Sequence, residues 1–146
     1  KVTTTKKKTT TTKKVTTTKK VTTIAKPAAK LTQKDIDKLV KELQEYSNSL
    51  CTITKTDKIF EDYLIEEYGS VENWYEYCAE TLTPSNSSWD SPGRFSSDNW
   101  TYEEMRERLY NKVDGQYSLH PNSHIVLYPE YHNDEYGEYW LIYPLR

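Results

Sequence analysis

The first thirty residues cannot be held by a hydrophobic core of their own. They contain ten lysines and no acidic residue, and Val2, Val15, Val21 and Ile24 are the only sizeable apolar side chains among them. Ordering a residue costs about 1–2 kcal/mol of conformational entropy, and a segment with so little to bury cannot offset that. Any compact unit must therefore be built from residues 31–146, and 1–30 is expected to be a disordered Thr/Lys-rich linker. The unit Lys-Val-Thr-Thr-Thr-Lys-Lys at 1–7 returns at 14–20, a degenerate repeat far shorter than any solenoid unit.

This division also separates the charge. The linker carries +10, whereas 31–146 holds ten basic residues against all 22 acidic ones, a net of −12 hidden inside a near-neutral total. Three roles suit a lysine-dense, acid-free arm. It can hold nucleic acid or another polyanion by releasing phosphate counterions. It can be a secreted linker whose clustered hydroxyls carry O-linked sugars, or it can be a bare spacer. The arm has no Arg and no aromatic residue, which disfavours bidentate or stacking recognition of nucleic acid. Its composition resembles the linkers that join modules in secreted microbial proteins, a likeness that reaches no residue beyond the arm.

After Pro27 the periodicity becomes helical. Ile36, Leu39, Val40, Leu43 and Leu50 follow 3.6-residue spacing behind Thr32, with Asp35 placed to complete a capping box. A second helix is expected from Thr56 or Asp57 to Gly69, with Ile59, Phe60, Tyr63 and Leu64 facing inward. A third is capped by Ser70 and presents Val71, Trp74, Tyr75, Cys78 and Leu82. The stretch TPSNSSWDSPGRFSSDN, 83–99, reads as a long loop pinned by Trp89 and Phe95. A fourth helix starts at a Thr101/Glu104 capping box, turns Met105 and Leu109 inward, and is expected to end at Asp114-Gly115.

The last thirty residues change period again. HIVLYPEY and EYWLIYPL are β-branched and aromatic runs joined by HNDEYG, which predicts an antiparallel hairpin, with a third short strand near GQYSL. Pro129 and Pro144 should mark a strand edge, end or bulge. Both runs are apolar on alternate faces, so each face of the sheet needs a cover: helix, partner or ligand. The fold class expected is α+β: about four short helices packed on a C-terminal antiparallel hairpin or small sheet, as one acidic domain over 31–146.

Function is indicated only by composition. Trp89, Tyr128, Tyr131, Tyr136, Tyr139 and Trp140 are the candidate ligand-binding residues, because planar rings interleaved with Glu130, Asp134, Glu135 and Glu138 suit a sugar or a protein surface. Asn86 and Asn99 satisfy the Asn-x-Ser/Thr glycosylation pattern. Cys51 and Cys78, the only cysteines, permit one disulfide. Together these point to an extracellular or cell-surface setting. No catalytic residue is assigned, and neither a metal nor a cofactor is expected. His120 and His124 have i, i+4 spacing, but Pro121 opposes a helix there. No phosphate loop, dinucleotide fingerprint or nucleophile elbow occurs, and no run is long and apolar enough to span a membrane. The expected function is a non-catalytic binding or attachment module of a secreted or surface-associated protein, with a glycan or protein partner. The alternative is an intracellular interaction domain whose cationic arm binds nucleic acid or other polyanions.

Overall fold

The structure is a computed structural model that describes residues 30–146. The readings made for 1–29, the linker among them, lie outside it. Five helices and three strands follow in the order α1 (Gln33–Leu50), α2 (Ile53–Thr56), α3 (Lys58–Tyr68), α4 (Val71–Thr81), β1 (Gly93–Phe95), α5 (Tyr102–Leu119), β2 (Val126–Asp134) and β3 (Gly137–Leu145). The α+β class is as expected. The antiparallel sheet has the order β1-β3-β2, so β3 is central and β2 forms an edge.

Local chemistry sets the helix ends. Thr32 and Asp35 close a reciprocal box at the start of α1, with Thr32 N donating to Asp35 Oδ2 at 2.9 Å, and Thr101 with Glu104 does the same for α5. Such a box satisfies two orphan N–H groups at once. Asp57 and Ser70 cap α3 and α4, and Gly69, at φ 82°, turns the chain between them. Only a residue without Cβ takes that left-handed angle at little cost.

The alternation of the strands sorts their side chains onto two faces. Phe95, Leu127, Trp140 and Ile142 point to the face covered by Ile36, Leu39 and Leu43 of α1 and Met105, Leu109 and Val113 of α5. On the opposite face Val126, Tyr143 and Leu145 pack with Cys78 of α4, joined by Trp74, Leu82, Tyr128 and Leu141 at the border. Both apolar faces thus receive a helical layer, but α4 shields only the Val126/Leu145 end of the second.

Several expectations change on inspection. GQYSL is not a strand. It is the last turn and a half of α5, because Val113, Gln116 and Tyr117 continue the inward stripe begun by Met105 and Leu109. Asp114-Gly115 therefore lies inside the helix, at an exposed position where a Cβ would meet nothing within 4 Å. The third strand comes instead from the 83–99 loop, whose Gly93–Phe95 stretch pairs with residues 140–142 of β3. Of the residues expected inward on α3, Leu64 is buried, but Ile59 is 85 % exposed and Tyr63 is half exposed. The short α3 touches its neighbours mainly along the Phe60–Leu64 line, where Phe60 meets Trp74 edge-on at 5.5 Å.

Both prolines find places where a ladder N–H is not needed. Pro129 sits in unbroken register opposite Ile142. It shares the outward parity of Leu127, whose N–H is bound by a helix side chain rather than by β3. Pro144 faces the β1 side, where pairing is interrupted: Trp89 bridges Leu145 and Gly93 pairs with Ile142, so four steps along the loop match three along β3. A one-residue mismatch of this kind is a bulge.

The outer edge of β2 is closed by a polar stripe on α1. Gln44 accepts from Leu127 N at 2.9 Å and donates to Ile125 O at 3.1 Å, while Ser47 Oγ donates to Ile125 O at 2.6 Å. Tyr117 of α5 joins them, its hydroxyl donating to Ser47 O at 2.8 Å. Because Leu127 N fixes which end of the Gln44 amide is oxygen, Gln44 Nε2 must be the donor to Asn48 Oδ1 at 2.9 Å. Asn48 then offers that oxygen to His124 Nε2 at 2.8 Å, so Nε2 carries the imidazole proton and Nδ1 is a bare, buried acceptor. Burial pushes the His124 pKa down from 6.5 to about 4.

Three outcomes follow from this packing. Gly115→Ala should raise stability by about 0.5–1 kcal/mol, since alanine removes the helix penalty of glycine in open space; chemical denaturation measures it. Gln44→Leu should lower stability by about 1–3 kcal/mol, because Leu127 N and Ile125 O lose a partner, and amide exchange at Leu127 should quicken. As pH falls from 6.5 towards 4, the unfolded chain protonates His124 before the folded one does. Stability should therefore fall over that window by about 3 kcal/mol and stay unchanged by this group above it. Carboxylates titrate there too, so the check is the difference in pH dependence between the native chain and His124→Gln.

Candidate binding surface

The six aromatic residues singled out by sequence do not form one surface. Trp140 is 7 % exposed and belongs to the core beneath α1 and α5. Tyr131 shares its face, lies tilted on Trp140 at 5.0 Å, and is 48 % exposed near Lys30, which pairs with Glu138. Tyr136 occupies the hairpin turn at 76 % exposure, its N–H bound to Asp134 Oδ1 at 2.8 Å. Tyr139, Tyr128 and Trp89 lie towards the opposite face.

Tyr139 is enclosed. His132 stacks on it at 5.0 Å and 4°, the Arg94 guanidinium lies 3.8 Å from its ring centroid, and its hydroxyl donates to Asp134 Oδ2 at 2.8 Å. That bond raises the Tyr139 pKa and holds the Asp134 carboxyl below its usual range. With both sides of the ring occupied, Tyr139 braces the sheet surface and offers no free stacking platform.

Trp89 and Tyr128 are the pair brought together. Each meets Tyr143 edge-on, at 5.0 Å and 6.4 Å. The indole N–H of Trp89 donates to Pro84 O at 2.9 Å, which fixes the ring while leaving it 43 % exposed. Next to Tyr128 runs a cavity of about 320 Å³, lined by Thr83, Pro84, Ser85, Tyr128 and Glu130. Burial, then a hydrogen bond to Glu130, pushes the Tyr143 hydroxyl up. Thr83, Ser85 and Arg94 carry no mark in the sequence that would place them here. Glu130 and His132 do, since their even spacing from Tyr128 puts all three on one strand face.

The segment that forms this groove is held in several ways. Ser88 and Arg146 exchange backbone hydrogen bonds of 3.1 and 2.9 Å. Asn86 accepts from Thr83 N at 2.7 Å and donates from Nδ2 to Thr81 O at 2.9 Å. A glycan on Asn86 would replace that second bond, whereas Asn99 Nδ2 donates only to Ser96 Oγ, at 3.0 Å. Both acceptor side chains are exposed.

Cys51 and Cys78 are not joined: both are buried free thiols. Cys51 caps α1 with its sulfur directed to Ser123 O at 3.9 Å, while Cys78 packs on the sheet with Val126 and Leu145. Apolar surroundings raise the Cys78 pKa to about 11, which keeps it a thiol. His120 approaches Asp90 at 3.6 Å and His124 is taken by Asn48, so the two histidines do not share a ligand position. Among the described residues no group of three or more His, Cys, Asp or Glu is placed to hold a metal ion. No helix among them is long and apolar enough to cross a membrane. A scan against protein-family models and searches of curated proteins and of solved structures find no match to the chain.

Proposed function

We propose that the folded unit is a non-catalytic binding module that recognises a carbohydrate at the Tyr128/Glu130 groove and the Trp89 ring held against Pro84 of its wall, within a secreted or surface-associated protein. The observation that carries this reading is the fixed, half-open indole of Trp89. Its N–H is already committed to Pro84 O, so the ring meets a ligand by its apolar surface alone. Apolar ring surface beside a carboxylate and hydroxyls is the combination a sugar needs, because its C–H face stacks while its O–H groups seek acceptors. Glu130, Thr83 and Ser85 supply the polar side of the groove.

A protein partner is the second reading, favoured by the neighbouring Arg94–Tyr139–His132 stack. Rigid aromatic and arginine side chains give large contact area at low entropy cost. The two readings load different residues.

The test is a glycan array followed by calorimetry on the strongest binders. Trp89→Ala and the shape-preserving Glu130→Gln should each weaken glycan binding by about tenfold or more, a loss of roughly 1.4 kcal/mol. Tyr136→Ala and Arg94→Ala should leave it unchanged. A natively folded chain that saturates with no glycan would discard this reading and favour the protein partner.

A further inference from the structure

Beyond Trp89 the same loop borders a second cavity, of about 370 Å³, enclosed by Ser91 to Phe95, by Trp100, and by Arg108, Asn111 and Lys112 of α5. Arg108 and Lys112 stand one helical turn apart, a spacing at which like charges oppose each other and weaken the helix. Such a pair is normally relieved by a nearby carboxylate. Three carboxylates of the same helix and loop are engaged by other partners. Glu104, one turn before Arg108, receives Thr101 N at 2.9 Å and Thr101 Oγ1 at 2.8 Å in the capping box. Asp114, two residues after Lys112, accepts from Tyr46 at 2.6 Å. Asp90 is taken by Arg146 at 3.2 Å, with His120 at 3.6 Å.

Among the described residues neither Arg108 nor Lys112 forms an ion pair, and no carboxylate lines the cavity. Arg94 adds positive potential at the rim. Burial first, and then the Arg108 charge, pushes the Lys112 ammonium down. Asp90, itself paired with Arg146, pulls the other way but more weakly, so the ammonium is held partly out of water with its charge only partly balanced. The remaining wall suits a ligand with a carbon skeleton: Trp100 meets Phe95 edge-on at 5.1 Å and is only partly covered.

We propose that this cavity is a binding site for a small oxyanion, the phosphate or sulfate group of an ester, held between Arg108 and Lys112 with the esterified group against Trp100. A guanidinium and an ammonium on one wall match the charge of such a group, and Asn111 and the hydroxyl of Ser91 add neutral donors. The site is independent of the glycan reading and can stand or fall without it.

The full chain is titrated with inorganic phosphate and with inorganic sulfate at ionic strength matched with chloride, and the side-chain NMR signals of Arg108 and Lys112 are followed. The expected result is one saturating site in the millimolar range. Arg108→Gln and Lys112→Gln should each weaken it by about tenfold, while Lys112→Arg retains it and Lys58→Gln, a charge change on distant α3, has no effect. Saturation by either anion upholds the site and shows which ester to pursue. Equal shifts with chloride, or losses in Lys58→Gln as large as in Lys112→Gln, would reduce the effect to general screening and overturn the proposal.

Discussion

The clamp of α1 on the free edge of β2 is the interaction on which the rest of the structure depends. An edge strand presents unpaired N–H and C=O groups, and an apolar one invites another chain to pair with it. Ile125 and Leu127 are such residues, buried and facing outward in their hydrogen bonding, and Gln44 and Ser47 bind them as a fourth strand would. Buried amides are costly unless every donor and acceptor is matched. Matching them fixes the rotation and height of α1 against the sheet more closely than Leu39 and Leu43 could by packing alone. Tyr117 ties α5 to the same point through Ser47, so two helices and the edge strand share one polar junction.

Given that junction, the sheet acquires unequal faces. The face under α1 and α5 is closed over most of its length, and Glu42, which accepts from Arg106 Nε at 2.8 Å and from Tyr110 at 2.7 Å, links the two helices above it. Among the described residues the other face has α4 as its helical cover, packed at the Val126/Leu145 end. The chain completes the surface with charged and aromatic side chains braced against one another, as Arg94, Tyr139, His132 and Asp134 are. The question posed by two apolar strand faces is answered by half a helical layer and half a self-supporting aromatic one.

How much of this is legible in the sequence depends on the range of the interaction. Capping boxes at Thr32 and Thr101, the Gly69 stop and the Ser70 cap are local, and all stand where the spacing puts them. The hairpin follows from composition and its turn. Failures occur where tertiary contacts override local signals. Gly115 looks like a helix end, yet Val113 and Gln116 on the buried stripe carry α5 through it. Gly93–Phe95 looks like loop because its strand character comes from β3 and from Phe95 in the core. Gln44, Ser47 and Asn48 look like the solvent side of a helix, since nothing local shows that an edge strand will need them. The candidate site is legible in part: Trp89 and Tyr128 are named by their rings, but their meeting through Tyr143 rests on a bridge between residues 89 and 145 that no periodicity reveals.

The 83–99 segment is a long Ser/Pro-rich loop held in place by anchors, a property the proposed binding role would use. A binding loop ordered only by its ligand loses affinity to the entropy of ordering, and fixing it beforehand avoids that loss. Here the fixing is done without regular structure at the groove itself. Asn86 ties the turn to the end of α4, Ser88 pairs with Arg146, Trp89 is locked to Pro84, and Phe95 is sunk beneath Trp100 in the core. Between these anchors, Pro144 withholds the hydrogen bond that would continue the ladder, so residues 90–92 bulge away from β3. One loop thereby borders two differently charged concavities, the groove of Tyr128 and Glu130 at β2 and the cavity of Arg108 and Lys112 beside β1, at opposite edges of the sheet.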